Sequence, residues 1–189
     1  MRLLTPQATR RPTGFTLLEL MVIVVMIAIL MMVGVPSFLS FQRNSELTSS
    51  TNTLLGALNV AKSEAIKRGM RAVVVPNDSS DWRQGWVVFV DKDRTLDPTT
   101  AENRKLIIQQ RNAADPLPSY FTFTWSGTNN PSFDASGFAL ESAGTFSIVR
   151  NDVSDDEKSQ QTRRIQIAKT GHVRSCKPVS TVDPQCAPQ

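Results

Sequence analysis

The side chains able to do chemistry are few and scattered. There is one histidine, His172, so a Ser-His-Asp relay would have to be built on it. No nucleophile elbow, phosphate-binding glycine loop or zinc-type spacing accompanies it, so neither catalysis nor a cofactor is expected. Cys176 and Cys186 form an even pair that would close a short loop. Such a pair reads as a disulfide in an oxidising compartment. Asp91, Asp93 and Asp97 in "DKDRTLD" offer oxygens of the kind calcium takes. The EF-hand glycine is missing, however, and Lys92 and Arg94 stand among the acids. A solvated turn with no metal is therefore expected. The remaining group is Glu19, five residues past Gly14 in "RRPTGFTLLELMVIVVMIAILMMVGVP", Arg10 to Pro36.

A carboxylate there is costly. Phe15 to Val35 is a run of 21 residues with one charge. At about 1.5 Å per residue it spans roughly 30 Å, the thickness of a bilayer core. A charge inside such a helix costs about 2.5–3.5 kcal/mol on insertion scales, so it usually has a purpose. The run is too long for a secretory signal core, and "MMVGVPS" makes a poor small-x-small cleavage site. Arg2, Arg10 and Arg11 precede it and predict a cytoplasmic N-terminus with the C-terminal bulk across the membrane. Taking those three from 21 basic residues leaves 18 against 17 acidic ones. Net charge therefore argues for no general nucleic-acid affinity; only a local patch could supply it.

The elements that must carry these groups follow from periodicity. Pro36 ends the uninterrupted apolar run, and the helix is expected to kink there and continue. Leu47, Thr51, Leu54, Leu58, Ala61 and Ala65 then recur at four- and three-residue steps, one helical stripe that should dock on a globular domain. Ser49, Ser50, Asn52, Asn59, Lys62 and Glu64 suit a more exposed face. Gly69 is placed to cap the C-terminus. Beyond it the pattern changes to short strands: "RAVVVP", "GWVVFVD", "KLIIQQR", "YFTFTW" and "GTFSIVR". "RRIQIAKTGHVRSC" reads as a hairpin turning at Thr170-Gly171. "NDVSDDEKSQQT", Asn151 to Thr162, reads as a mobile polar loop, and Trp82 and Trp86, around Gly85, as core residues. A long helix followed by an antiparallel sheet makes an α+β chain.

"RRPTG" followed by "FTLLEL" closely resembles the N-terminal signal of type IV prepilins and pseudopilins. The resemblance implies a leader, residues 1–14, removed by a prepilin peptidase between Gly14 and Phe15, with N-methylation of Phe15. It implies that residues 15–69 form one long helix whose first part, 15–35, is transmembrane, and that residues 70–189 form a periplasmic β-domain. It also implies that Glu19 pairs with the terminal amine of a neighbouring subunit during assembly. Physics agrees, because stranding one charge of a buried pair costs several kcal/mol. "AKSEAIKRG", "WRQGWVVFVDKD", "FDASG...GTF" and "GHVR" occur in the order seen in the GspH/FimT group. This group implies a minor type IV pilin that primes or caps pilus assembly, or alternatively a minor pseudopilin of type II secretion. Its partners would be the prepilin peptidase, other pilins or pseudopilins, and the inner membrane of a Gram-negative cell.

Some members of the group bind DNA through a Gly-Arg-x-Arg motif during natural transformation. This chain has Gly171-His172-Val173-Arg174, so histidine replaces the first arginine. A histidine carries little charge at neutral pH. The surroundings compensate in part, for Lys158 to Lys177 contains no acid. Arg163, Arg164, Lys169, His172, Arg174 and Lys177 are the candidate phosphate contacts for double-stranded DNA. Period-two alternation puts His172 and Arg174 on one face of the hairpin.

Overall fold

The structure is a computed structural model describing residues 14–78, 80–111, 116–139, 141–179 and 186; the expected leader, 1–14, lies outside the described residues except for Gly14. One helix, α1 (Leu17–Arg68), runs for 52 residues and continues through Pro36. The chain divides into a first unit ending at Gln42 and a second unit, Arg43–Gln189.

In the first unit the described large apolar side chains from Phe15 to Phe41 are exposed. A window of the helix reaches a mean hydropathy of 2.9 with none of it buried, long and apolar enough to cross a membrane. An apolar helix that finds no protein to cover it is a helix for another solvent.

In the second unit α1 becomes amphipathic. Leu47, Leu54, Leu58, Ala61 and Ala65 are fully buried and Thr51 nearly so, as the stripe predicts. Ser50, expected on the exposed face, is buried instead. It lies one step from Thr51, on a stripe widened by Leu54 and Ala57, and its small side chain fits there. Gly69 ends the helix in the left-handed region, φ 63°. Its N–H reaches the carbonyl of Ile66 at 3.3 Å, and Met70 N–H reaches Ala65 at 3.2 Å, the paired bonds of a Schellman cap.

The expected antiparallel β-domain consists of two sheets. β1 (Ala72–Pro76), β2 (Trp86–Val90), β3 (Ile107–Gln110) and β5 (Ser132–Phe133) form one, in the order β3-β2-β1-β5. β4 (Phe121–Trp125), β6 (Gly144–Arg150), β7 (Thr162–Ile167) and β8 (Val173–Cys176) form the other, in the order β4-β6-β7-β8. The main core joins the α1 stripe to inward residues of both sheets, among them Val74, Val88, Phe121, Phe133, Phe146, Ile148 and Ile165. Trp82 and Trp86 are buried in it, Trp82 edge-on to Phe146 at 4.7 Å. The two-residue strand β5 carries too little periodicity to be read locally, which is why the sheet's division is not visible in the sequence.

The segment expected as a mobile loop between β6 and β7 contains a helical turn, α3 (Asp155–Lys158). Gln161 N–H bonds Glu157 at 2.9 Å, and the Thr162 hydroxyl bonds the Lys158 carbonyl at 2.6 Å, so the turn closes on the start of β7.

Candidate functional site

At the N-terminus, Gly14, Phe15 and Thr16 precede the helix and are exposed. Nothing lies within 4 Å of where a Gly14 side chain would begin. Thr16 caps the helix: its hydroxyl oxygen accepts from Glu19 N–H at 3.2 Å, and its carbonyl accepts from Leu20 N–H at 3.2 Å. This is the spacing of a capping box, Thr-x-x-Glu. Glu19 stands in the first turn, where the helix dipole favours an anion. Reading Glu19 only as an assembly contact misses that local role, although "TLLE" before an apolar run carries its signature.

The basic hairpin is formed as expected. β7 and β8 pair antiparallel with Gln166 opposite Arg174, and the turn closes through Ala168 N–H to the His172 carbonyl at 3.0 Å. Lys169, His172, Arg174 and Lys177 are exposed. Gln166, Ala168, Thr170, His172 and Arg174 line a shallow concavity of about 300 Å³. Arg174 Nε donates to Gln166 Oε1 at 2.7 Å, which steadies one side of it.

Arg163 and Arg164 turn elsewhere. Arg163 donates to the carbonyls of Gln160 (3.0 Å) and Thr162 (2.9 Å) and to Asn44 Oδ1 on α1 (3.2 Å). Burial lowers its pKa, with the guanidinium still protonated. Arg164 donates to the carbonyl of Cys186. Cys186 is buried and joined to Cys176 in the expected disulfide, Cα–Cα 5.9 Å. Of the six basic-patch residues, four are therefore exposed, His172 and Arg174 on the same concavity, while Arg163 and Arg164 are bonded to Asn44 and the Cys186 carbonyl.

The acidic segment is a turn with Asp93 and Asp97 exposed, as expected, and with Asp91 buried at its root. It wraps around Asn103, which is fully buried and starts from the one-turn helix α2 (Ala101–Arg104). Asn103 Nδ2 lies 3.1 Å from Asp91 Oδ1, 2.7 Å from Asp93 Oδ1, 3.3 Å from Thr95 Oγ1 and 3.0 Å from the Asp97 carbonyl. The amide nitrogen thus stands where oxygens converge, and its Oδ1 accepts from Lys92 N–H at 3.0 Å. Hydrogen bonds from Thr95 and then Thr100 hold the Asp93 carboxyl down at about 2. Leu96, the sixth residue from Asp91, takes the left-handed backbone (φ 61°) that favours glycine. Its side chain packs on a second apolar cluster of Val73, Val75, Val87 and Phe89. Glu102, twelfth from Asp91, is turned to Lys92 Nζ at 2.9 Å. The loop is a polar lid on the outer face of the first sheet.

An ion cluster ties α1 to the second sheet. Arg150 Nη1 donates to Glu46 at 2.8 Å, and its Nε and Nη2 donate to Asp152 at 2.6 and 3.0 Å. The guanidinium lies 4.3 Å above the Tyr120 ring, and Tyr120 donates its hydroxyl to Glu46. Burial would raise the Glu46 carboxyl, but the Tyr120 and Arg150 bonds outweigh it and hold it below the usual range. Arg150 holds Asp152 low in the same way.

The family model described as Type II transport protein GspH matches residues 50–171, and that of the prokaryotic N-terminal methylation motif matches residues 9–35. The chain belongs to the GspH family of minor pilins and pseudopilins. Two crystal structures of the type IV minor pilin FimU from Pseudomonas aeruginosa (strain PAO1) share its fold. One has a TM-score of 0.56 at 18% identity and covers 74% of this chain and 99% of FimU. The other has a TM-score of 0.51 at 18% identity and covers 68% and 91%. No curated protein matches the chain. The GspH match begins in the buried stripe of α1 and ends at Gly171. His172, Arg174, Lys177 and the disulfide of this family member lie beyond it. The methylation-motif match spans Gly14, Phe15 and Glu19.

Proposed function

We propose that the chain is a minor type IV pilin precursor, cut between Gly14 and Phe15 and methylated at Phe15. Residues 15–35 anchor it in the inner membrane with residues 70–189 in the periplasm, Pro36 bends the helix, and Glu19 pairs with the amine of a neighbouring pilin when the subunit enters the fibre. The observation that carries this reading is the junction of a methylation motif with a GspH domain through one helix, Leu17–Arg68. The fold shared with FimU over 74% of this chain supports the pilin architecture, and on this reading the subunit primes or caps pilus assembly, the alternative being a GspH-like pseudopilin of type II secretion. Glu19 is tolerated in apolar surroundings because assembly supplies its partner; before that, the dipole at the helix start offsets part of its cost.

The test is a gene deletion complemented with variants. Deletion is expected to reduce surface pili and leave exoprotein secretion intact; the reverse outcome would make the chain a pseudopilin. A second reading is favoured by the concavity on β7–β8, lined by the exposed His172 and Arg174, with Lys169 and Lys177 exposed on the same hairpin and just past it. These residues would contact phosphates of double-stranded DNA without reading sequence. Affinity would then fall steeply with salt, and Arg174→Ala would weaken all sequences alike.

A further inference from the structure

The β7–β8 turn is held by groups remote in sequence. Lys62, on α1, donates its Nζ to the Gly171 carbonyl at 2.9 Å. The Asp134–Ala139 turn lies against the same place: Ala139 N–H bonds the Lys169 carbonyl at 3.0 Å. That turn is itself braced by Asp134, whose Oδ1 accepts from Ser136 N–H at 2.8 Å and Phe138 N–H at 2.9 Å. A side chain on Gly171 would begin 1.7 Å from the Gly137 carbonyl oxygen, so the two turns meet backbone to backbone. Both glycines have positive φ, 82° at Gly137 and 73° at Gly171. The methylenes of Lys62 and the end of Ile66 line the other side of Gly137. Lys62 is half-buried. A cation that looks like part of a solvated helix face is therefore a pin through the root of the basic turn.

We propose that Lys62 is a positioning residue: by holding the Gly171 carbonyl it fixes the spacing of Lys169, His172 and Arg174 for phosphate contact, without touching the phosphate itself. This rests on the DNA reading above for its use, while the pin itself does not. A rigid array meets a ligand without spending affinity on ordering.

The experiment compares wild type, Lys62→Met and Lys62→Arg as full chains in detergent micelles. The first measurement is amide hydrogen exchange at Ala139, Ala168 and Gly171. Loss of one charge-assisted bond should speed exchange there by about five- to tenfold in Lys62→Met. Exchange in β6 should be unchanged, and Lys62→Arg should restore much of the protection. Unchanged exchange at the three amides overturns the pin. The second measurement is affinity for a short DNA duplex across a salt series. A positioning role predicts about five- to tenfold weaker binding by Lys62→Met with the same salt slope. A slope shallower by about 0.9 would make Lys62 a phosphate contact and overturn the positioning role, as would unchanged affinity. If wild type itself binds no duplex at low salt, the DNA reading falls, and the exchange result alone decides the pin.

Discussion

Arg150→Met removes the guanidinium that joins α1 to the second sheet while keeping most of the buried stem. Arg150 is only 6% exposed, and it makes three bonds of 2.6–3.0 Å to Glu46 and Asp152. Breaking a fully buried pair costs about 3–5 kcal/mol because a charge is stranded. Here the stranded carboxylates are 33% and 39% exposed, so water recovers part of the loss. The expected destabilisation is about 2–4 kcal/mol at neutral pH. For a unit of this size that is about 5–15 °C in Tm. The assay is thermal unfolding of the full chain in detergent, followed by near-ultraviolet circular dichroism, which reports the Tyr120 and tryptophan environments. Both carboxyl pKa values are lowered in the folded chain. Their stabilisation is therefore complete above the unfolded values near 4 and is lost as pH falls through the folded ones. The gap between wild type and Arg150→Met should accordingly shrink as the pH falls below about 4. A variant within about 1 °C of wild type at pH 7 would refute the clamp, as would a gap that does not shrink in acid.

Other outcomes follow from the same geometry. Asn103→Leu should lower stability by about 1–3 kcal/mol, since it removes the partner of the Lys92 N–H and the amide bonds to Asp91, Asp93 and the Asp97 carbonyl; calcium should not raise the Tm of wild type, and a clear rise would show that the amide yields its place to a cation. Gly171→Ala should displace the β7–β8 turn, seen as amide shift changes at Gly137 to Ala139; an unshifted spectrum would mean the turns do not touch. Gly14→Leu has room in the structure and should leave the fold intact while the full-length precursor accumulates on a denaturing gel, and a processed band would refute the cleavage position. Glu19→Ala should insert and be processed yet incorporate poorly into sheared fibres; normal incorporation would count against the assembly contact.

What local chemistry dictates can be read from the chain directly. The apolar run from Phe15 and the arginines before it depend on solvent and charge alone, which composition reports. The stripe Leu47 to Ala65 depends on a helix period, the Gly69 cap on the absence of a Cβ, and the β7–β8 hairpin on a two-residue alternation broken at Thr170-Gly171. Each of these is settled within a few residues, so the α+β order is legible in the amino-acid sequence by itself.

Tertiary structure decided the rest, because its causes lie far apart in the chain. Whether an arginine faces solvent or a carbonyl cannot be read from its neighbours. Arg163 and Arg164 sit in the same basic run as Lys169 and Arg174, yet they are spent on Asn44 and Cys186. Lys62 and Gly171 are 109 residues apart, and Arg150 and Glu46 are 104 apart. Only the pairing of β6 with β7 and the docking of the α1 stripe bring them within hydrogen-bond distance. The acid loop shows the same limit: the sequence reads there as a solvated turn, and nothing local tells that a buried amide six residues past the last aspartate organises it. Side-chain identity set which bonds were available; the fold set which partners arrived.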